Sequence, residues 1–393
     1  MSLIKKLRKS RNHGGNRGNG KGRNPVRKFP SRRNKFLLEP LEPRLLLSSD
    51  LSYTAPAAAN LTLRLDDATQ ELQLLDNSSQ SILQSQALAD TSLVVIAGSE
   101  EKDIFTLDFR SPFSVPITLD GKKGSDTLRV LGEDQTWEIT GTNAGEVASI
   151  DFSSIENLTG APNNQDTFIF EPTGKLSGKI RGGAGGFDSL LIEGGSYNTV
   201  IFTPTGPDSG SVSLDGKIIS YLGLEPITLS GAPDNVTLDG SSADNNILVD
   251  LDGGNIRVSA VGTMESHSFA APANSLTIKG GAGYDSVTVA ANLNIPGADL
   301  AISAESITVN SGITVTADDI SLTAADAGTT GFGNLLDTLL ELVFDDSEAF
   351  VGSASATVDL TGASLVGNDI TVSASSTMSL TNDGTALGTS LTV

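Results

Sequence analysis

The 393-residue sequence contains no cysteine and only two histidines, His13 and His267. Without cysteine the chain has no disulfide, no thiolate metal site and no cysteine nucleophile. Two histidines this far apart argue against a catalytic histidine pair or a multi-histidine metal site. Aromatic residues are also few, with one Trp and 14 Phe, whereas Gly is abundant at 42 residues. This composition favours short strands broken by turns over packed helices.

Long apolar runs are absent as well. No stretch reaches the roughly 18 apolar residues that a membrane-spanning helix requires, so the sequence predicts no transmembrane segment. The N-terminus also departs from an ordinary signal peptide, because its basic region is long and the next apolar run is interrupted by Glu39, Pro40 and Glu42-Pro43-Arg44. Any export would follow an unconventional route or one specified elsewhere.

Charge is segregated along the chain. The first 36 residues contain 13 Lys or Arg and no acid, whereas the remainder contains 13 Lys or Arg against all 47 acids, a net charge of −34. Residues 1–35 are rich in Gly, Asn, Lys and Arg, which predicts a disordered basic leader. Such a leader could contact nucleic acid or an anionic membrane. We expect no nucleic-acid partner, because few aromatics accompany the charges and the acidic body repels nucleic acid.

Between the two charge regions lies the run FLLEPLEPRLLLS, Phe36–Ser48. It resembles the LEPR-XLL motif, which lies near the N-terminus of very large bacterial surface or exported repeat proteins. The residues that carry the resemblance are Leu41, Glu42, Pro43, Arg44, Leu46, Leu47 and Ser48. The resemblance implies a targeting motif over residues 36–49, export machinery that acts through the N-terminal leader, and a location outside the cell or on the bacterial surface.

Internal repeats are the strongest structural signal after the leader. Turns rich in Gly, Asn and Asp recur between segments of alternating apolar and polar residues, a pattern typical of half-buried strands. Asp103 and Asp126 are 23 residues apart, and Asp166 and Asp188 are 22 apart. These spacings approach one coil of a parallel β-helix, so each pair of turns is expected to stack on adjacent coils. In a third unit, Asn246 and Asp285 are expected to play these roles, with extra length between them.

The sequence therefore predicts an all-β fold of parallel β-helix or β-solenoid repeats. We expect an irregular β-repeat region over residues 50–290 and a more regular solenoid over 291–393, with a short amphipathic helix near 333–350. Leu335, Leu336, Leu339 and Leu340 supply the helical spacing there. The chain ends within a strand-like pattern, so we expect it to be the front part of a longer protein.

Three of the turns suggest calcium. Gly280-Gly281-Ala282-Gly283-Tyr284-Asp285-Ser286-Val287 resembles the repeats-in-toxin pattern, and the segments 183–190 and 121–128 fit it with one substitution each. In that family, glycines with positive φ point carbonyls inward and the Asp adds charge, so that Ca²⁺ gathers six to eight oxygens. The resemblance implies Ca²⁺ at Asp126, Asp188 and Asp285.

The copies here are single and far apart, whereas the repeats-in-toxin site needs tandem repeats. The loops of Asp103, Asp166 and Asn246 could supply a substitute second turn. The alternative is that these are ordinary Gly-rich turns in which the Asp hydrogen-bonds the backbone.

We expect the protein not to be an enzyme. The paired acids Asp318-Asp319 and Asp345-Asp346 have no neighbouring Lys or Arg cluster, and adjacent residues on a strand point to opposite faces. The predicted function is a structural or adhesive scaffold that contacts extracellular matrix, glycans or cell-surface ligands. A calcium-binding repeat module and a carbohydrate-active β-helix enzyme remain the alternatives.

Overall fold

The computed structural model describes residues 49–328 and 355–378, which form 33 β-strands. The strands are β1 (Ser49–Thr54), β2 (Asn60–Asp66), β3 (Glu71–Asp76), β4 (Ser81–Ala87), β5 (Thr91–Ala97), β6 (Ile104–Asp108), β7 (Ile117–Asp120), β8 (Thr127–Leu131), β9 (Thr136–Gly141), β10 (Ala144–Val147), β11 (Ile150–Ser153), β12 (Asn157–Thr159), β13 (Thr167–Phe170), β14 (Lys179–Arg181), β15 (Ser189–Ile192), β16 (Ser196–Gly206), β17 (Ser209–Leu214), β18 (Lys217–Leu222), β19 (Ile227–Leu229), β20 (Ala232–Asp239), β21 (Asn246–Asp252), β22 (Asn255–Ala260), β23 (Met264–Phe269), β24 (Ser275–Lys279), β25 (Ser286–Val289), β26 (Leu293–Ile295), β27 (Asp299–Ala304), β28 (Ser306–Val309), β29 (Thr314–Ala317), β30 (Ile320–Gly328), β31 (Thr357–Asp359), β32 (Ser364–Val366) and β33 (Ile370–Met378). The predicted leader, the LEPR-like motif through residue 48 and the predicted helix at 333–350 lie outside the described residues.

The strands build two long sheets and one short one. Sheet A has fifteen strands in the order β1-β5-β7-β11-β10-β9-β13-β15-β19-β23-β22-β21-β25-β28-β31. Sheet B has fifteen in the order β33-β30-β27-β24-β20-β16-β17-β18-β14-β12-β8-β6-β2-β3-β4. Most neighbours are parallel, which confirms the predicted all-β solenoid.

Alternation of side chains builds the core. In β2, Leu61, Leu63 and Leu65 are buried while Arg64 is exposed, because successive residues of a strand point to opposite faces. The inward residues of both sheets form one apolar cluster that runs from Leu51 to Ala324. A single coil could not bury its apolar face alone, so the coils stabilise one another by stacking.

Four antiparallel meanders interrupt the parallel order, at β2–β4, β9–β11, β16–β18 and β21–β23. In the meander β9–β11, the first strand, β9, pairs with the later strand β13. The chain then turns back, and the last strand of the meander, β11, pairs with the earlier strand β7. The meanders alternate between sheets B and A, so both sheets reach fifteen strands. Equal strand numbers let the apolar face of each sheet cover the other.

A third face begins at β26. Strands β26, β29 and β32 form a parallel sheet of their own, sheet C. Partner residues of the first coils in this region are 20 to 22 positions apart, as in Leu300 and Ile320 or Leu293 and Val315, whereas Ile320 and Ile370 are 50 apart. The predicted boundary at residues 290 and 291 falls just before this face, and parallel pairing in sheets A and B continues across it.

Candidate functional site

The predicted calcium ligands share one position relative to a strand, although Asp126 lies beside sheet B and the other two lie beside sheet A. Asp126, Asp188 and Asp285 each stand directly before a parallel strand, and their side chains are buried, with 0%, 4% and 0% of their surface exposed. A buried carboxylate needs hydrogen-bond partners or opposite charge to offset its lost hydration. The partners here are backbone groups of the adjacent coil.

The first set of stacked acids crosses the sheet B strands β2, β6, β8 and β12. The N–H of Ala59 donates to Asp103 Oδ1, the N–H of Asp103 donates to Asp126 Oδ1, and the N–H of Asp126 donates to Glu156 Oε2, each at 2.7 Å. Each carboxylate thus accepts from the equivalent residue one coil earlier. A charge-assisted bond of this kind satisfies an N–H that the sheet leaves unpaired.

Two further sets repeat this arrangement in sheet A. In one, the N–H of Gln135 donates to Asp166 Oδ1 and the N–H of Asp166 donates to Asp188 Oδ1, both at 2.7 Å. The other contains Asn245, Asp285 and Glu305. There the N–H of Asn245 donates to Asp285 Oδ1 at 2.8 Å, and the N–H of Asp285 donates to Glu305 Oε2 at 2.7 Å. We call the three sets the acid ladders.

The third ladder contains one residue that differs from the sequence-based expectation. The inward side chain is Asn245, which is 1% exposed, and not Asn246, which faces solvent as the first residue of β21. Its Nδ2 donates to the carbonyl of Gly280 at 3.1 Å and to Asp285 Oδ1 at 3.0 Å. An uncharged amide therefore fits a position that carboxylates hold in the other ladders.

A glycine five or six residues before each aspartate makes room for its carboxylate. A Cβ on this glycine would lie 2.5–2.8 Å from the aspartate Oδ2. The pairs are Gly121 with Asp126, Gly182 with Asp188, and Gly280 with Asp285. In the second turn the residue that makes room is thus Gly182, one position before the predicted start at Gly183, which instead has a φ of +146°.

The structure brings each predicted turn next to its neighbour but does not bring Asp126, Asp188 and Asp285 together. Each belongs to a different ladder. Within residues 49–328 and 355–378, no three Asp, Glu or His side chains are grouped so that they could hold a metal ion. Oδ2 of Asp126 and Oδ2 of Asp285 are nevertheless buried without a hydrogen-bond partner.

Burial and like charge raise the pKa of three ladder carboxyls, Asp126, Asp166 and Asp188. Burial raises the pKa of Asp126 to about 6, the N–H of Asp103 opposes the rise, and the Glu156 and Asp103 carboxylates add to it. Burial likewise raises the pKa of Asp166 to about 6, with a further contribution from Asp188. The pKa of Asp188 is also raised, again chiefly by burial.

These shifts predict a fold that is more stable in mild acid than at neutral pH. A carboxyl with a raised pKa in the folded state stabilises the fold fully below its unfolded pKa, near 3.8 for Asp126 and Asp166, and loses that contribution as pH rises through about 6. We expect the free energy of unfolding, measured in urea, to fall by on the order of 2 kcal/mol between about pH 5 and pH 7.5.

The matched variant for this prediction is Asp126→Asn with Asp166→Asn, which places at both positions the amide that Asn245 carries in the third ladder. It should show less than half of that fall. Asp108 does not interfere, because Arg110 lowers its pKa and its contribution is lost only in stronger acid. A parent protein whose stability rises over the same pH range would contradict the prediction.

The paired acids considered for catalysis are solvent-exposed turn residues where they are described. Asp318 and Asp319 are both exposed. The N–H of Asp319 donates to Asp299 Oδ1 at 3.2 Å, and the N–H of Asp369 donates to Asp319 Oδ1 at 3.1 Å. Asp345-Asp346 lies outside the described residues. The described pair thus links neighbouring coils at the surface, like the ladders inside.

One buried cluster was missed from the sequence. The Tyr221 hydroxyl donates to Glu265 Oε1, and His267 Nε2 lies 3.2 Å from the same oxygen. Burial raises the pKa of Tyr221, and Glu265 adds to the rise. The Phe202 ring packs 4.8 Å from the His267 ring. Glu265, His267 and the apolar Phe269 share one face of β23, and that period of two was the available signal.

No family model, no curated protein and no solved structure matches this chain. Within the described part of the chain, no helix has the length and apolar character needed to cross a membrane.

Proposed function

We propose that this protein is an exported or cell-surface scaffold with a structural or adhesive role and without catalytic activity. The observation that supports it best is the use of the acid ladders. Their carboxylates accept backbone N–H groups of adjacent coils, so the recurring Gly–Asp turns serve coil stacking. The LEPR-like run, which resembles the motif of surface and exported proteins, supports the location.

The outer surface also suits a scaffold. Outward hydroxyls line up across adjacent coils of sheet A, as in Ser286, Ser306 and Thr357, where the Ser306 and Thr357 hydroxyl oxygens are 3.1 Å apart. Such rows offer many similar weak contacts to matrix, glycan or cell-surface ligands. Export machinery would act on the leader.

The location is tested by fusing residues 1–50 to a reporter in the cells that produce this protein. We expect the reporter and the native protein to be cleaved when protease is added to intact cells. The matched control carries Glu42→Ala, Pro43→Ala and Arg44→Ala and should keep the reporter inside. If both the native protein and the unaltered fusion stay protected, the surface role is wrong.

Calcium binding is a second candidate function, favoured by the unpartnered Oδ2 atoms of Asp126 and Asp285. It predicts a melting temperature about 3 °C higher in about 5 mM Ca²⁺ than in chelator, because extracellular sites bind Ca²⁺ in the range of about 10⁻⁴–10⁻³ M. Asp285→Asn should reduce the increase, and Mg²⁺ at the same concentration should not reproduce it. Identical melting curves with Ca²⁺ and chelator would rule out this function.

A further inference from the structure

The few cations of the acidic body are not spread evenly. Arg129 on β8 and Arg181 on β14 both flank Thr159 on β12, in register, and Lys179 lies two residues before Arg181 on the same outward face. Strands of one sheet are about 4.8 Å apart, so the two arginines start about 10 Å from each other. We call Arg129, Lys179 and Arg181 the basic face.

These three side chains are exposed and have no acidic partner among residues 49–328 and 355–378. The Lys and Arg side chains that form ion pairs in the described residues are Arg110, Lys123, Arg257 and Lys279. Arg129, Lys179 and Arg181 form none. An exposed cation without a counterion keeps its full attraction for an anion from solution.

The surrounding strands contain no acid to oppose such an anion. Six adjacent strands of sheet B, in the order β16-β17-β18-β14-β12-β8, contain no Asp or Glu, although the whole chain has 47. Between and beside the cations the face presents Thr159 and Ser220, whose hydroxyls can exchange hydrogen bonds with the hydroxyl groups of a ligand. The Asn157 side chain is already engaged, since its Nδ2 donates to the carbonyl of Asp126 and its Oδ1 accepts from the N–H of Lys179, both at 3.1 Å.

We propose that the basic face binds a linear anionic polysaccharide that bears carboxylate or sulfate groups. The choice of this ligand class rests on the proposed scaffold role, because an adhesive scaffold at the cell surface would contact matrix and glycan polymers. The face is an exposed, open sheet, so an extended chain can lie across its strands with acidic groups near the cations and hydroxyls near Thr159 and Ser220.

Nucleic acid fits this face less well. Binding of single strands relies on bases stacking on exposed aromatic rings. The aromatic residues of these six strands, Tyr197, Phe202 and Tyr221, are buried in the core. A long duplex would also extend over the acidic surface beyond the face and be repelled there.

The direct test measures how fast Lys179 is acetylated in the purified full chain, by mass spectrometry, with and without polygalacturonate. We expect polygalacturonate to slow acetylation of Lys179 several-fold and neutral dextran to have no effect. Lys175, exposed in the turn before β14, is the internal control and should react unchanged. This local measurement separates the basic face from the basic leader, which also attracts polyanions.

Affinity of the full chain for polygalacturonate provides the second measurement. Arg129→Gln, Lys179→Gln and Arg181→Gln together should weaken binding about tenfold at low salt, the change expected from three exposed ion pairs. The matched control, Lys102→Gln with Lys122→Gln and Lys175→Gln, removes the same charge elsewhere and should bind like the parent.

Unchanged Lys179 reactivity with polygalacturonate would overturn the proposal. Protection of Lys179 from acetylation by a DNA duplex but not by polygalacturonate would also overturn it. So would protection of Lys179 that appears when the protein alone is concentrated, because the occupant of the face would then be a second copy of the chain. These measurements use purified protein, so their results do not depend on where the cell places it. A negative result would therefore contradict the basic face as a binding site without contradicting the proposed surface location, which the reporter fusion tests.

Discussion

Replacing Gly182 with alanine is expected to lower the free energy of unfolding by about 3 kcal/mol. The new Cβ would lie 2.1 Å from the carbonyl oxygen of Gly223 and 2.5 Å from Asp188 Oδ2. Neither atom can yield easily, because one belongs to the backbone of the next coil and the other to a carboxylate whose Oδ1 accepts a hydrogen bond from the N–H of Asp166. The measurement is the midpoint and slope of urea unfolding.

Gly297→Ala is the matched control. A Cβ there would meet nothing closer than the carbonyl oxygen of Ala273 at 3.9 Å, an ordinary contact. We expect this variant to stay within about 0.5 kcal/mol of the parent. Equal losses for the two variants would mean that the glycine before the aspartate does not make room for its carboxylate.

The Gly–Asp turns show what sequence can and cannot reveal. Glycine was expected there for positive φ, and Gly183 and Gly281 do have φ values of +146° and +118°. Gly182 and Gly280 are required for a different reason, the close approach of the aspartate side chain, to which the carbonyl oxygen of Gly223 in the next coil is added at Gly182. Two adjacent glycines in one turn therefore meet two different requirements, a positive φ and space for a side chain. The sequence alone does not indicate which glycine meets which requirement.

Coil stacking could be predicted from spacing, but the meanders could not. Asp103 and Asp126 do lie on adjacent coils, as their separation indicated. The return strand β11 alternates apolar and polar residues just as a parallel strand does, so periodicity cannot distinguish it from one. Only pairing across distant segments, such as β9 with β13, reveals that the chain has run ahead.

The sequence-based prediction of the third turn was wrong by one residue, and one residue decides whether a side chain faces the core or the solvent. Asn245 and Asn246 are chemically identical, yet one is inside and the other outside, because a shift by one position reverses the side chain on a strand. The basic face had no local signal at all, since Arg129 and Arg181 become neighbours only through the intervening strand β12. Its recognition required the sheet register.

The Tyr221–Glu265–His267 cluster follows a different rule from the ladders. Glu265 and His267 are 0% exposed, and in the described part of the chain Glu265 Oε2 and both ring nitrogens of His267 have no hydrogen-bond partner. Burying Glu265 with His267 costs desolvation that only good geometry offsets, so replacing the whole group by apolar residues is often neutral, whereas removing one partner leaves a buried polar side chain uncompensated. The cluster joins β18 of sheet B to β23 of sheet A, so its loss would weaken the packing between the two sheets.

We therefore expect His267→Leu alone to lower the free energy of unfolding by about 3–5 kcal/mol. Tyr221→Phe removes one hydrogen bond to the carboxylate and should cost less, about 1.5–3 kcal/mol. The triple variant Tyr221→Phe, Glu265→Leu and His267→Leu should return to within about 1 kcal/mol of the parent, because no buried charge remains unpaired. Urea unfolding of the three variants at neutral pH distinguishes the cases. A triple variant much less stable than His267→Leu would show that the polar contacts themselves, and not the pairing of charge, hold the two sheets together at this point.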